Sequence, residues 1–67
     1  MNILKEVTEY RKEAGINTTA WAASLGIAVE TWSRIEHGKQ DMGWEIKRRI
    51  AKTYPALVGK IIAEFLS

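Results

Sequence analysis

The sequence lacks cysteine and contains one proline and one histidine, His37. Without cysteine, the chain forms neither a disulfide framework nor a thiolate metal site, and a single histidine does not assemble a zinc site. No apolar run approaches the roughly 20 residues of a membrane span. Charges recur every few residues near the N-terminus, where a secretory leader would be apolar. We therefore expect a cytoplasmic protein that holds no metal or cofactor and enters no membrane.

Signatures of enzymes are also missing. The sequence shows no pairing of a nucleophile with a base and no glycine-rich phosphate loop, and its 67 residues leave little room for a deep pocket. We expect neither an enzyme nor a small-molecule substrate. With 46% hydrophobic and 27% charged residues, the composition is typical of one small globular domain over residues 1–67. The net charge of +2 permits a nucleic-acid partner without requiring one.

Apolar residues recur at helical spacing, and no segment alternates with the period of a strand. Asn2 and Asn17 are predicted N-caps, because the side-chain oxygen can accept from a free N–H group of the first turn. Gly15 and Gly26 are predicted to end helices, and Pro55 suits the first turn of the last helix. The sequence therefore predicts an all-α fold of five short helices, at about 3–14, 18–24, 29–36, from 42 or 44 to 53, and 56–66.

The tryptophans Trp21, Trp32 and Trp44 all lie on predicted inward faces. A buried tryptophan removes about 150–250 Å² from water. We therefore expect the three to supply much of the core of this short chain, in preference to stacking on nucleic-acid bases.

A short connection, Leu25-Gly26-Ile27, joins the second and third predicted helices. It is too short for the two helices to lie antiparallel, and a glycine at positive φ lets the chain turn sharply there. The helix at 29–36 would then be exposed and supported by the helix before it. An exposed helix has the width that the major groove of B-DNA accepts.

The run INTTAWAASLGIAVETWSRIEHGK, residues 16–39, resembles the helix-turn-helix of the XRE family, which includes the lambda-like phage repressors and Cro proteins. The resemblance rests on Ile16-Asn17, Trp21-Ala22, the Leu25-Gly26-Ile27 turn and the stretch SRIEHGK at 33–39. The segments RKEAG (11–15) and RIAK (49–52) also lie at the offsets that the family pattern has. The resemblance implies a compact five-helix lambda-repressor-like domain. It also implies a nucleoid-associated, sequence-specific regulator that occupies an operator in double-stranded DNA.

Residues that read base edges follow from the resemblance. They are expected in the first turn of the third helix and one turn later, at Ala28, Val29, Glu30, Ser33 and Arg34. Arg34 suits a bidentate pair with guanine, Glu30 can accept from a cytosine amine, and Val29 can touch a thymine methyl group. As an alternative, Glu30 and Arg34 are one helical turn apart and form an ion pair on a solvated surface.

Phosphate contacts are expected on either side of these residues, at Asn17, Thr18, His37, Lys39 and Gln40. Asn17 and Thr18 begin a helix, where free N–H groups and the helix dipole favour an anion. Two alternatives stay open: Asn17 serves only as an N-cap, and His37 only ends its helix. The basic segment KRRIAK at 47–52 is either a solvated helix face or a patch that faces phosphates.

Other positions have an implied structural role or depart from the family pattern. Arg11 and Glu36 match positions that form a buried ion pair in some relatives, so we expect them to be structural. Ala28 replaces a serine or threonine cap, which leaves the first N–H groups of its helix less well satisfied. Lys47 replaces a leucine, and we therefore expect the fourth helix to be rotated or shifted.

The last predicted helix carries a wide apolar stripe. We expect part of it to close the core and the surplus to form a self-association surface, so that a homodimer matches a two-fold operator. Alternatively, the helix only covers Trp44 and Tyr54, or lies on a membrane surface. A rival function is a protein-interaction module, antirepressor-like or antitoxin-like, that binds a regulatory protein through this helix. The residues of the expected surface are Leu57, Val58, Ile61, Ile62, Phe65 and Leu66.

Overall fold

The computed structural model describes residues 3–66, and within that range the chain is helical without strands. The prediction of an all-α fold with five helices is confirmed. The predicted N-cap Asn2 lies outside the described residues. The helices are α1 (Ile3–Glu13), α2 (Thr18–Leu25), α3 (Val29–Glu36), α4 (Gly43–Thr53) and α5 (Val58–Leu66), and a 3-10 turn (Pro55–Leu57) precedes α5.

The first three helices end in the same way. In each, a glycine at positive φ follows the last turn, at Gly15, Gly26 and Gly38. After α2, Gly26 N–H donates to the Ala23 carbonyl at 3.1 Å and Ile27 N–H to the Ala22 carbonyl at 3.0 Å. This pair of bonds is the Schellman motif, which satisfies carbonyls that a helix end leaves free. The sharp turn between α2 and α3 therefore follows from one residue that tolerates φ +70°.

Aromatic rings dominate the centre of the core. Trp21 stacks on Tyr54 with ring centroids 4.4 Å apart, and Trp32 lies 5.6 Å from Trp21 at a tilt of 55°. Tyr10 packs edge-on against Tyr54. Trp21 and Trp32 are fully buried, and the indole N–H of Trp21 has no hydrogen-bond partner within residues 3–66. Aliphatic side chains from every helix complete the core, among them Val7, Leu25, Ile35, Ile50, Leu57 and Ile61.

The prediction that Trp44 faces the core is wrong, since its residue surface is 52% exposed. The inward face of α4 passes through Ile50 and the half-buried Lys47. Lys47 is accommodated because its ammonium lies 2.6 Å from a Glu64 carboxylate oxygen on α5. Trp44 is displaced to the flank of α4, where it meets Phe65 edge-on at a centroid distance of 5.2 Å.

The prediction of a self-association surface on the last helix is wrong in part. Leu57 and Ile61 are buried in the core, so they are removed from that surface. Val58 is half-buried, whereas Ile62, Phe65 and Leu66 are exposed. The apolar stripe of α5 is therefore divided between a face that closes the core and a face that remains open.

Candidate nucleic-acid interface

The turn between α2 and α3 is fixed from both sides. Arg49 of α4 donates from Nη1 to the carbonyl oxygens of Leu25, at 3.1 Å, and Gly26, at 3.3 Å. On the inner side, Trp32 and Ile35 bury one face of α3 in the core. The opposite, outer face of α3 is therefore supported by the packed core beneath it.

The expected base-reading residues lie on or beside this outer face. Ala28, Glu30 and Arg34 are exposed, and Val29 and Ser33 are half-buried. Ala28 is the N-cap position of α3 and contributes no side-chain cap bond, as its methyl group implies. Within residues 3–66 no ion pair joins Glu30 and Arg34. The face thus presents a carboxylate and a guanidinium that do not neutralise each other.

Arg34 is held by two neutral acceptors. Its Nε donates to Gln40 Oε1 at 3.1 Å, and its Nη2 donates to Thr31 Oγ1 at 3.4 Å. Thr31 belongs to α3, while Gln40 follows the helix in the loop before α4. Neither acceptor is a carboxylate, so neither of them offsets the guanidinium charge with a negative one.

The N-terminus of α2 lies at one end of this surface. Asn17 is the N-cap: its Oδ1 accepts from Ala20 N–H at 2.7 Å, and its carbonyl accepts from Trp21 N–H at 2.9 Å. The Asn17 amide nitrogen is left as a donor, and Thr18 follows it in a half-buried position. The cap role does not exclude an anion contact, because the first N–H groups of a helix carry partial positive charge.

The C-terminus of α3 lies at the other end. His37 Nδ1 is 2.7 Å from the Ser33 carbonyl oxygen. A carbonyl oxygen only accepts, so the hydrogen of this contact is on Nδ1. Lys39 is exposed, and its N–H donates to the Arg34 carbonyl at 2.9 Å. Lys39 therefore offers a charge beside the last turn of α3.

The basic segment 47–52 is mostly engaged within the molecule. Lys47 pairs with Glu64, and Arg49 clamps the turn after α2. Arg48 binds both Glu45 carboxylate oxygens, at 2.9 and 2.8 Å, and Arg49 Nε reaches one of them at 3.3 Å. Hydrogen bonds from Arg48 and then Arg49 lower the pKa of Glu45 below its ordinary value. These contacts favour the interpretation as a structural and solvated face.

The expected ion pair between Arg11 and Glu36 is formed beneath the interface. Arg11 Nε lies 3.0 Å from Glu36 Oε1, and the side chains are 10% and 16% exposed. Trp32 Nε1 donates to the same oxygen at 2.8 Å. The spacing of Trp32 and Glu36, one helical turn, is a signal that the sequence analysis did not use. The contact between Arg34 and Gln40 crosses a helix end and has no such periodic signal.

An exposed apolar surface lies on α5 and the first turn of α4. We name it the α5 surface: Trp44, Ile62, Phe65 and Leu66, which are 52%, 51%, 67% and 76% exposed. The Lys47 ammonium lies 5.0 Å from the centre of the Trp44 ring, a cation–π arrangement. Exposed apolar patches of this kind are typical of surfaces that contact another molecule.

No helix within residues 3–66 is long and apolar enough to cross a bilayer. No group of three or more histidine, aspartate or glutamate side chains is placed to hold a metal ion in that range.

Comparison with protein-family models, with curated proteins and with solved structures finds no match for this chain.

Proposed function

We propose that the protein is a sequence-specific DNA-binding regulator that inserts α3 into the major groove and occupies an operator. The observation that carries this proposal is the asymmetry of α3: Trp32 and Ile35 are buried, while Glu30 and Arg34 are exposed on the opposite face. Charged side chains on a rigidly supported helix suit the reading of base edges. The resemblance of residues 16–39 to the XRE helix-turn-helix supports the same function.

Each side chain of the face has a chemical partner in the groove. Arg34 can donate two parallel hydrogen bonds to guanine N7 and O6, and Glu30 can accept from the cytosine amine. Val29 supplies an apolar contact for a thymine methyl group, while Ala28 and Ser33 are small enough to allow close approach. In this proposal these residues carry the sequence preference.

Phosphate contacts supply the affinity that does not depend on sequence. The N-terminus of α2, with Asn17 and Thr18, and the residues after α3, with His37 and Lys39, flank the face at its two ends. Groups at both ends of the exposed helix can contact the backbone on either side of the groove. Gln40 belongs to the same group in the resemblance. A protein of this kind would be found with the nucleoid.

The α5 surface supports a homodimer in this proposal. A second copy, related by a two-fold axis, would cover Phe65 and Leu66 of each chain, because an isologous contact presents the same apolar residues on both sides. Two α3 helices could then reach half-sites about one helical turn apart, roughly 34–36 Å. The alternative is that this surface binds a regulatory protein as an interaction module, which the exposure of the same side chains also favours.

Salt dependence of DNA binding tests the proposal. Protein is titrated onto a fluorescent pool of genomic duplex fragments at about 50 and about 200 mM salt. Neutralisation of only a few phosphates makes the affinity fall at least about tenfold between these conditions, since each contact releases counterions. If no duplex binds at the lower salt concentration, the regulator proposal is wrong and the interaction module takes its place.

A further inference from the structure

The two acceptors around Arg34 lie on one edge of its guanidinium. The planar group has five N–H donors in a fixed fork. Gln40 Oε1 takes the hydrogen of Nε, and Thr31 Oγ1 receives a longer bond from Nη2. Within residues 3–66, no acceptor bonds to Nη1. The edge formed by Nη1 and the second hydrogen of Nη2 is therefore left open.

Gln40 is itself held close to α3. Gly38 N–H donates to the Ile35 carbonyl at 3.1 Å, Lys39 N–H donates to the Arg34 carbonyl at 2.9 Å, and Gly38 has φ +73°. These bonds fold the chain back over the last turn of the helix. The Gln40 amide therefore starts from a backbone anchored to Arg34 itself, and its oxygen meets the guanidinium with little further ordering.

We propose that Gln40 is a positioning residue for base reading by Arg34, an inference that rests on the proposed function. By occupying Nε, Gln40 directs Arg34 to use its Nη1–Nη2 edge, whose parallel N–H groups match N7 and O6 of guanine. Without Gln40, the long side chain regains rotamers in which the Nε edge faces a phosphate. Sequence preference at one base pair then falls, although the charge of Arg34 is unchanged.

A phosphate contact by Gln40, as the family resemblance implies, gives a different signature. Such a contact carries no sequence information, so its loss weakens binding to every duplex alike. Because the Gln40 amide is neutral and releases no counterion, the salt slope stays unchanged. Loss of a positioning residue changes the ratio between two duplexes that differ at one base pair. The ratio, and not the affinity, separates the two roles.

The experiment begins with a pool of 20-base-pair duplexes of random central sequence, from which the wild-type chain enriches a preferred duplex. Arg34→Ala identifies the base pair that Arg34 reads, as the position at which discrimination is lost. Fluorescence anisotropy then gives the affinities of Gln40→Ala and Gln40→Glu for the preferred duplex and for its variants at that pair.

We expect Gln40→Ala to reduce discrimination at that base pair about fivefold, the ratio that one ordinary hydrogen bond is worth, and to leave other positions unaffected. Gln40→Glu keeps the acceptor, so its discrimination ratio should equal that of the wild type even if the added charge weakens binding to all duplexes. In an Arg34→Ala background, Gln40→Ala should change the ratio no further.

Failure of the positioning role and failure of the regulator proposal give different results. If Gln40→Ala weakens all duplexes equally with an unchanged ratio, Gln40 is a phosphate contact and the positioning role is overturned, while the regulator proposal stands. If the wild-type chain enriches no duplex, both are overturned. In the free protein, the Nε–H of Arg34 should show a lower heteronuclear NOE in Gln40→Ala than in the wild type by NMR, and an unchanged value would also contradict the inference.

Discussion

Arg11 and Glu36 are 25 positions apart in the sequence, yet their side chains share a hydrogen bond of 3.0 Å beneath the outer face of α3. The same Glu36 oxygen accepts from Trp32 Nε1, and Arg11 Nη1 donates to the Ile16 carbonyl at 2.9 Å. One carboxylate thereby joins α1 to α3, and the guanidinium holds the loop that leads to α2. Arg11 is therefore committed to partners within the molecule.

Removal of the Glu36 carboxylate should lower the free energy of unfolding. In Glu36→Ala, Arg11 keeps its charge in a nearly buried site, and the Trp32 indole N–H loses its acceptor. Breaking a buried pair in this way costs about 3–5 kcal/mol, and we expect a value near the lower end because the side chains retain 10% and 16% exposure. Thermal and urea unfolding followed by circular dichroism measures the loss.

Two variants accompany this measurement. Glu30→Ala removes an exposed carboxylate from the same helix and should change the stability by no more than about 0.5 kcal/mol. Glu36→Gln keeps an oxygen for Arg11 and Trp32 and should fall between the two. Equal stabilities for Glu36→Ala and Glu30→Ala would show that the buried network contributes nothing.

The turn after α2 gives a second prediction. Gly26 has φ +70°, and a Cβ added there would lie 3.3 Å from Arg49 Nη1. An L-residue in the left-handed region costs about 1–2 kcal/mol, so Gly26→Ala should destabilise the fold by at least that amount. Gly59→Ala is the matched control, because Gly59 lies within α5 with open space around it. That substitution should stabilise the protein by about 0.4–1 kcal/mol. The idea fails if the two substitutions have the same sign in unfolding experiments.

Helix ends that depend on hydrogen bonds within one turn of the chain could be predicted from the sequence. The cap at Asn17 and the glycine at position 26 fix the ends of α2, because each makes hydrogen bonds to residues three or four positions away. The bounds of α2 and α3 consequently differ from the prediction by no more than a residue. The 3-10 turn at Pro55 moved the start of the last helix to Val58.

Contacts between residues far apart in the sequence could not be predicted in the same way. The inward face of α4 includes Lys47 because Glu64 of α5 lies opposite it, and that choice exposes Trp44. Arg49 is one of several basic residues in a row, and only the fold brings it to the Leu25 carbonyl. In the candidate interface, the exposure of Arg34 followed from helical spacing, but its contact with Gln40 depends on the path of a loop.

Substitutions on and beside α3 should separate base reading from phosphate binding. Arg34→Ala should cost about 1–3 kcal/mol of binding free energy at one base pair and relax the preference there. Lys39→Ala should weaken binding to all duplexes alike and reduce the salt slope by about one, since a lysine beside the helix end contacts only phosphate. Anisotropy titrations on the preferred duplex and its variants provide both quantities. Equal, sequence-independent losses from the two variants would contradict this division.

The exposed contacts of Glu45 with Arg48 and Arg49 on α4 give a pH-dependent prediction. Hydrogen bonds from Arg48 and then Arg49 hold the pKa of Glu45 below its ordinary value. Stabilisation from these contacts is therefore complete above the ordinary glutamate range and is lost as the pH falls through the lowered pKa. Carboxyl carbon NMR should give a titration midpoint for Glu45 below the ordinary glutamate value, and Arg48→Ala should raise it. A midpoint that does not respond to Arg48→Ala would mean that the contact does not persist in solution.

The α5 surface makes the oligomeric state testable with a single charge. Phe65 is 67% exposed and packs on Trp44 of the same chain, so a carboxylate at position 65 need not disturb the core. If two copies bury this surface against each other, Phe65→Glu places a charge in an apolar contact from both sides and should abolish a dimer that the wild type forms. Sedimentation equilibrium over a wide concentration range measures the mass.

Ala23→Glu, which adds the same charge at an exposed position of α2, should leave the association unchanged. A wild-type chain that stays monomeric at high concentration would exclude the homodimer, and equal loss of association in both variants would assign it to net charge instead of to the α5 surface.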